Sequence, residues 1–145
     1  MLLGEFEQRL DEKNRMTVPV RLRASFADGA VVTRYFDGCV SLFPRAGWDE
    51  FVDRELSRLD PLTQQGRWMQ RFLYGSAAEV DLDRQGRLAL SAPLAKHASL
   101  DKEIVVTGVF DRIEIWDRDA WAAGLIEFGR SAEDAAESLA KESHR

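Results

Sequence analysis

Short runs of apolar residues alternate with turn-forming residues along two stretches of the chain, a pattern typical of β-strands. The first stretch predicts strands at residues 4–10, 15–18, 30–33 and 39–43. The second predicts strands at residues 78–82, 87–90, 103–107 and 113–116. After the second strand of each stretch, the pattern predicts a short helical turn, at residues 20–26 and 93–98. Each half of the chain is therefore expected to form a similar β-rich unit.

Apolar residues at helical spacing follow the first stretch. They predict a helix that starts near Gly47 and has one apolar face, formed by Trp48, Phe51, Val52, Leu56 and Leu59. Asp60-Pro61 ends this helix, because the residue before proline avoids the α region. A second helix is predicted at residues 63–74, and Gly75 stops it.

The end of the chain is also predicted to be helical. Trp121, Leu125 and Ile126 form a stripe like that of the first helix. An Ala-rich segment follows, with an apolar face formed by Ala132, Ala135, Ala136 and Leu139. Residues 143–145 are expected to fray, as chain ends commonly do.

The two β-rich stretches are copies of one another. The segment 11–18 matches the segment 83–90, an offset of 72 residues (from 11 to 83). The segment 32–37 matches 106–111 with an offset of 74 (from 32 to 106), and the segment 40–43 with Trp48 matches 113–116 with Trp121 (offset 73, from 48 to 121). Three matched blocks in the same order indicate an internal duplication.

A β-unit of about 45 residues buries too little surface to be stable alone. The single cysteine, Cys39, cannot form an intramolecular disulfide and is expected to be a buried, inert thiol. We therefore expect the two copies to interleave their strands in one pseudo-symmetric α+β domain with flanking helices. We predict four segments along the chain: a first unit at residues 5–47, a helical connector at 48–75, a second unit at 77–120 and a C-terminal helical segment at 121–145. The Trp- and Phe-rich helical stripes are expected either to cover the core or to face neighbouring subunits, and on this ground we expect a homo-oligomer.

Each copy contains an Asp-x-x-(Asn/Gly)-Arg turn. Asn14 and Gly86 occupy the position that requires a positive φ, which Asn and Gly tolerate best. Asp11 and Asp83 are placed to accept hydrogen bonds from the backbone across the turn. Hairpin chemistry explains these residues, but it does not explain why an arginine follows in both copies. From spacing alone, a structural ion pair and a binding role for the two arginines are equally supported.

Local charge favours the binding role. The chain has a net charge of −5, yet residues 9–23 contain five basic and two acidic residues, a net of +3. Residues 81–96 contain three basic and two acidic residues, a net of +1. A two-stranded β-ribbon fits the major groove of DNA, and arginine can contact guanine through two hydrogen bonds. The first copy is thus expected to make the main DNA contact, and the second to serve the fold as much as the DNA.

The two motifs, together with Gly4-Glu5, Val18-Pro19, Val32-Thr33-Arg34 and Glu114-Ile115-Trp116, resemble the MraZ family of bacterial transcriptional regulators over residues 1–128. The resemblance implies two AbrB-like (SpoVT-AbrB) swapped-hairpin units and a ring-like homo-oligomer. It also implies binding to short direct repeats of double-stranded DNA, in the promoter of its own operon in the division and cell wall gene cluster. The family's DNA-facing arginines correspond to Arg15 and Arg87, with Lys13 beside the first. Arg84, in the second turn, completes the predicted DNA-binding set.

The chain departs from the family pattern at two places. Asn14 replaces the usual glycine, although asparagine can still adopt the required conformation. In the second copy Ser91-Ala92-Pro93 stands where the family places proline directly after the strand. We therefore expect the second helical turn to start about two residues later than the first.

Other classes of function have less support. His97 and His144 lie near no candidate nucleophile, no glycine-rich phosphate loop is present, and two histidines with one cysteine make a zinc site improbable. We expect no catalysis, cofactor, metal or small-molecule substrate. Without a signal peptide or an apolar run long enough to span a membrane, a cytoplasmic, nucleoid-associated protein is expected. The alternative is an antitoxin-like or other protein-interaction module, in which the acidic tail from Glu127 binds a basic partner.

Overall fold

The computed structural model describes residues 1–143, so His144 and Arg145, including their predicted fraying, lie outside the described part. The eight strands are β1 (Leu2–Arg9), β2 (Arg15–Thr17), β3 (Ala30–Arg34), β4 (Val40–Pro44), β5 (Ala78–Val80), β6 (Arg87–Ala89), β7 (Glu103–Phe110) and β8 (Ile113–Asp117). The four α-helices are α1 (Arg45–Arg54), α2 (Gln64–Tyr74), α3 (Ala92–His97) and α4 (Arg118–Ser143). Short 3₁₀ segments span Val20–Phe26 and Leu56–Arg58, and Phe36–Gly38 forms a tight turn.

The strands of the two copies interleave. Six of them form one sheet in the order β1-β7-β8-β4-β3-β5, and β2 and β6 form a separate two-stranded ribbon. All of these pairings are antiparallel. The order is symmetric: β1 of the first copy pairs with β7 of the second, and β5 of the second pairs with β3 of the first. The mixed α+β class and the predicted interleaving are thereby confirmed.

The main core lies between the large sheet and the small ribbon. Alternate residues of the central strands point into it, including Val32, Leu42, Val106 and Ile115. Met16 and Leu88 enter from the ribbon, and the first 3₁₀ segment and α3 close its sides with Leu22 and Leu94. Because both copies contribute equivalent residues, neither copy could bury this core alone.

The opposite face of the sheet is covered by the longer helices. α1 and α2 enclose a cluster of Phe43, Phe51, Leu56 and Leu73 over the first copy. Over the second copy a smaller cluster of Cys39, Val105 and Trp116 is covered by the start of α4. The Cys39 thiol is fully buried, and burial raises its pKa well above its usual range, as expected for an inert thiol.

A tight hairpin turn at Asp37-Gly38 connects β3 to β4. Asp37 has φ 65° and Gly38 has φ 78°, and two consecutive left-handed residues are what a tight hairpin with twisted strands requires. The Tyr35 N–H donates to the Cys39 carbonyl at 3.0 Å and closes the turn. The equivalent turn of the second copy places Phe110 at φ 67°.

Two helical predictions are wrong in detail. The helix predicted through Leu59 ends at Arg54, since Glu55 departs to φ −115° and Leu56 turns inward in a 3₁₀ segment. The predicted late start of α3 is not seen. α3 begins at Ala92, three residues after β6, and the 3₁₀ segment of the first copy begins at Val20, three residues after β2. Pro93 occupies the first turn of α3, where its missing N–H costs nothing.

Candidate functional site

The β2–β6 ribbon presents one buried face and one outward face. Met16 and Leu88 are paired across the ribbon and buried. Arg15 pairs with Ala89, and Thr17 pairs with Arg87. Because side chains alternate along a strand, these four residues share the outward face. Arg15 and Arg87 are therefore diagonal neighbours on one surface. In standard sheet geometry the Cα atoms of such neighbours are about 7–8 Å apart.

The first turn fixes Arg15 through the Asp11 carboxylate. Asp11 Oδ1 accepts from the backbone N–H groups of Lys13 and Arg15, both at 2.9 Å. Asp11 Oδ2 accepts from Arg15 Nε at 2.6 Å. One aspartate thus shapes the turn and orients the guanidinium, while the described hydrogen bonds leave both terminal nitrogens of Arg15 without a protein partner.

The second turn repeats this arrangement. Asp83 Oδ1 accepts from the N–H groups of Gln85 and Arg87 at 2.9 Å, and Oδ2 accepts from Arg87 Nε at 2.9 Å. The exposed fractions of the two arginine side chains are also close, 27% for Arg15 and 29% for Arg87. In local geometry the second turn presents its arginine as fully as the first.

Both turns have a left-handed residue at the predicted position, Asn14 at φ 55° and Gly86 at φ 75°. The carbonyl groups of these residues accept across the ribbon, from Leu90 N–H (3.0 Å) and Val18 N–H (2.8 Å), respectively. Gly86 is further restricted, because a Cβ at this position would collide with the Arg23 side chain. The Asn14 turn has no such restriction.

We expect Gly86→Ala to lower the free energy of unfolding by about 1–3 kcal/mol, because alanine is strained in the left-handed region and meets Arg23. The matched control is Asn14→Gly in the other copy, which places glycine at the equivalent positive-φ position. This variant is expected to change the free energy of unfolding by less than about 0.5 kcal/mol. Chemical denaturation of both variants measures the difference. Equal stability of Gly86→Ala and the wild type would contradict this account of the turn.

The ribbon is attached to the large sheet through Gln8 on β1. Its side-chain amide oxygen accepts from Thr17 N–H at 3.1 Å, and its amide N–H donates to the Thr17 carbonyl. The Gln8 side chain therefore makes the two hydrogen bonds to the Thr17 backbone that a neighbouring strand would make, while Arg87 is the partner of Thr17 across the ribbon. These bonds hold the ribbon at a fixed distance from the sheet. No pattern in the sequence pointed to Gln8, because the contact joins two different sheets.

The hydrogen bonds that shape the turns also lower the pKa of both aspartates. For Asp11 the main cause is the Arg15 N–H, and for Asp83 it is the Arg87 N–H. A carboxyl whose pKa is lower in the folded state stabilises the fold above its unfolded pKa, and this stability is lost as the pH falls. The contribution should therefore start to fall at about pH 4, the unfolded pKa, and continue to fall as the pH passes through the lower folded pKa.

We expect the double variant Asp11→Asn/Asp83→Asn to have a lower Tm than the wild type at pH 7 and a smaller Tm difference from the wild type at pH 3. The amide keeps an oxygen for the backbone N–H groups but loses the charge that favours them and the arginines. Thermal unfolding of both proteins between pH 3 and pH 7 tests this. A Tm difference that stays constant over this range would contradict a role for ionised Asp11 and Asp83.

A groove of about 590 Å³ lies beside the first turn, and we call it the first-turn groove. Its charged lining residues are Arg9, Lys13, Arg15, Arg87, Lys102, Asp11 and Glu12, five basic and two acidic, a net of +3. It combines arginines from both turns. The sequence did not point to Lys102, because this residue lies on a loop of the second copy. The Lys102 carbonyl accepts a hydrogen bond from Leu10 N–H at 2.8 Å, which places the loop beside the first turn.

A smaller groove of about 220 Å³ lies beside the second turn. Its charged lining residues are Arg23, Arg84, Asp81 and Asp83, so its charge is balanced. Arg84 therefore lies apart from the first-turn groove, and the structure brings together Lys13, Arg15 and Arg87 but not the fourth predicted residue. The two turns are alike in shape and differ in the charge around them.

Within residues 1–143, no group of three or more His, Cys, Asp or Glu side chains is arranged to hold a metal ion. Over the same residues, no helix combines the length and apolar character needed to cross a membrane. His97 Nε2 lies 2.9 Å from the Tyr35 carbonyl and contacts the Phe72 ring, which is a structural position between α3 and α2.

The duplicated turns, the interleaved sheet and the shared ribbon face define a two-repeat α+β protein with one composite basic surface. Comparison with known proteins agrees. A family model described as "MraZ protein, putative antitoxin-like" matches residues 1–71 and, separately, residues 73–143. The double match confirms the internal duplication.

Known proteins named transcriptional regulator MraZ align with nearly the whole chain. That of Pediococcus pentosaceus is 37% identical over 139 residues, with 96% of each chain covered. That of Heliobacterium modesticaldum is 35% identical over 139 residues, again with 96% of each covered. That of Moorella thermoacetica is 38% identical over 141 residues, covering 97% of this chain and 95% of its own. The chain belongs to the MraZ family, and the resemblance noted in the sequence is confirmed.

Proposed function

We propose that this protein is a sequence-specific DNA-binding transcriptional regulator and that the outward face of the β2–β6 ribbon enters the major groove. The single observation that supports this most is the placement of Arg15 and Arg87 on one exposed face. A two-stranded ribbon has the width that the groove of about 12 Å admits. In this proposal Arg15 and Arg87 contact base edges, and Lys13 and Arg84 contact phosphates on either side.

The hydrogen bonding of the arginines supports a base-contacting role. Each guanidinium uses its Nε for the turn aspartate and has its two terminal nitrogens available for a ligand. A guanidinium held in this way loses less conformational freedom on binding, and two parallel N–H donors match the O6 and N7 atoms of guanine. Lys102 and Arg9 extend the positive surface toward the DNA backbone and raise the rate of encounter.

We further propose the finer features of the family. The interleaved units correspond to AbrB-like swapped hairpins, with the divisions at residues 5–47, 48–75, 77–120 and 121–145. Several subunits assemble in a ring, which allows successive ribbons to contact successive direct repeats. The targets are repeats in the protein's own promoter and in the division and cell wall gene cluster, and the protein acts in the cytoplasm at the nucleoid, without catalysis or a cofactor.

An antitoxin-like function is the second candidate. The observation in its favour is α4, which contains six acidic and three basic residues and has no buried side chain. Such a helix could hold a basic partner protein. The duplication favours the regulator, because a second DNA-facing turn adds nothing to the capture of a partner by the tail.

The salt dependence of DNA binding tests the proposed function. The wild type should bind a duplex from upstream of its own coding sequence more tightly than a shuffled duplex of equal composition. Its log K should fall with log salt by about 0.9 per phosphate neutralised. Fluorescence anisotropy at several salt concentrations gives both quantities. Equal affinity for the two duplexes at every salt concentration would contradict sequence-specific binding.

A further inference from the structure

Helix α4 extends beyond the surface that its own chain provides for it. With 26 residues it is about 39 Å long. Trp121 and Phe128 pack against Trp116, with ring centroids 5.5 and 6.2 Å away. The helix is exposed from residue 125 onwards, and Leu139 retains 63% of its surface exposure. Only its first part is therefore packed.

The exposed part of α4 has an apolar stripe. Leu125, Phe128, Ala132, Ala136 and Leu139 follow one another at intervals of three or four residues, so they share one face. In proteins most of the stability of a helix comes from the packing of such an apolar face. The stripe requires a partner surface.

The two copies of the duplication differ at this point. α1 follows β4 as α4 follows β8, with an offset of 73 residues (from 45 to 118). After α1 the chain turns back, and α2 covers the sheet with Leu73. Up to Ser143, where the described part of the chain ends, the second copy has no equivalent of α2, since α4 continues straight to that residue. The outer face of the second copy has one helix where that of the first has two.

The exposed face of α2 complements α4 in charge and in apolar surface. Between Gln64 and Tyr74 the only charged residues are Arg67 and Arg71, a charge of +2. Trp68 is 54% exposed on the same side, and Arg71 takes part in no ion pair within the described chain. α4 has a net charge of −3, from six acidic and three basic residues, and Glu133 and Glu142 flank its stripe.

We propose that the stripe of α4 in one chain docks against the exposed face of α2, formed by Trp68 and Arg71, in a second copy of the same chain. This inference rests on the homo-oligomer within the proposed function and assigns its interface. Every chain offers both surfaces, so the contact is head-to-tail and repeats from chain to chain until the assembly closes. Trp68 supplies apolar contact area, and Arg71 faces the acidic flanks of the stripe.

Two variants that each damage one surface test the proposal. Leu139→Asp places a charge in the stripe, and Trp68→Asp removes the aromatic contact from α2. Both positions are exposed, so each variant should retain its fold, which circular dichroism checks. By light scattering without DNA, each variant alone is expected to have the mass of one chain. An equimolar mixture should form a dimer that cannot grow, because only one intact pair of surfaces remains.

Several outcomes would overturn the proposal. A mixture that stays monomeric would contradict a head-to-tail contact. If Leu139→Asp lost assembly and Trp68→Asp did not, the stripe would pair with the stripe of a second copy. If the wild type were monomeric, the stripe would bind a different protein. A second pair, Ala136→Glu and Arg71→Glu, should give the same complementation if either first variant proves unstable. Because DNA is absent, failure here is separate from failure of the DNA-binding proposal.

Discussion

Arg15→Ala is expected to weaken binding to the upstream duplex by roughly 100-fold, the upper end of what one bidentate arginine–guanine contact supplies. The loss has two parts. The guanidinium is removed from the most basic part of the surface, and the Asp11 carboxylate is left unpaired where DNA phosphates approach. Anisotropy titrations at one fixed salt concentration measure the change. The turn itself should persist, because the residue 15 N–H still donates to Asp11 Oδ1.

Two further variants test how much of the affinity comes from the bidentate contact of Arg15 and how much from Arg87. Arg15→Lys keeps the charge but cannot make the bidentate contact, so it should lose discrimination against the shuffled duplex while keeping most of the non-specific affinity. Arg87→Ala should weaken binding about tenfold, since Lys13, Arg15 and Lys102 remain in the first-turn groove. Arg58→Ala, on the connector, is the matched control and should bind like the wild type. If Arg15→Ala bound the duplex as tightly as the wild type, the proposed base-contacting role of Arg15 would be wrong.

Met16→Ala is expected to lower the free energy of unfolding by about 2–5 kcal/mol, as for other large-to-small changes in a closed core. Met16 is fully buried beneath the ribbon, where it packs in the main core with Leu88 from the partner strand. A cavity at this position would loosen the contact between the ribbon and the sheet. Urea denaturation of the wild type and the variant gives the change.

The control for this prediction is one residue further along the same strand. Thr17→Ala removes a side chain from the outward face, and we expect a change in stability below about 1 kcal/mol. The backbone of residue 17 keeps both of its hydrogen bonds to Gln8. Similar losses for Met16→Ala and Thr17→Ala would contradict the assignment of one buried and one outward face.

Local chemistry made the turns predictable from the sequence. Asn14 and Gly86 have the positive φ that their types and positions suggested, and Asp11 and Asp83 accept the expected hydrogen bonds. The strands were predicted within a few residues, because turn-forming residues mark their ends. β1 starts two residues earlier than expected, since Leu2 pairs with Phe110 of the other copy and is buried.

Contacts between distant segments were beyond the reach of these patterns. The pairing of β1 with β7 and the arrival of Lys102 beside the first turn depend on how the copies interleave. The break after Arg54 likewise reflects the packing of Leu56 and not its helical spacing. Charge windows along the sequence did indicate the more basic turn, but they treated Arg87 as part of a separate, weaker site. The fold places it beside Arg15.

If both turns face the same DNA, an iron chelate attached at either turn will cut that DNA. Cys39 is buried with a raised thiol pKa, so a chelate reacts only with an introduced cysteine. Glu12→Cys and Gln85→Cys label the exposed tips of the two turns, and Ser57→Cys labels the connector as a control.

Cleavage of the upstream duplex by these labelled proteins gives the answer. Both the Glu12→Cys and the Gln85→Cys conjugates are expected to make strong cuts within the direct repeats, and the Ser57→Cys conjugate is expected to make no localised cuts. Localised cleavage from the connector, with none from either turn in protein that still binds the duplex, would contradict the proposal that both turns face the DNA.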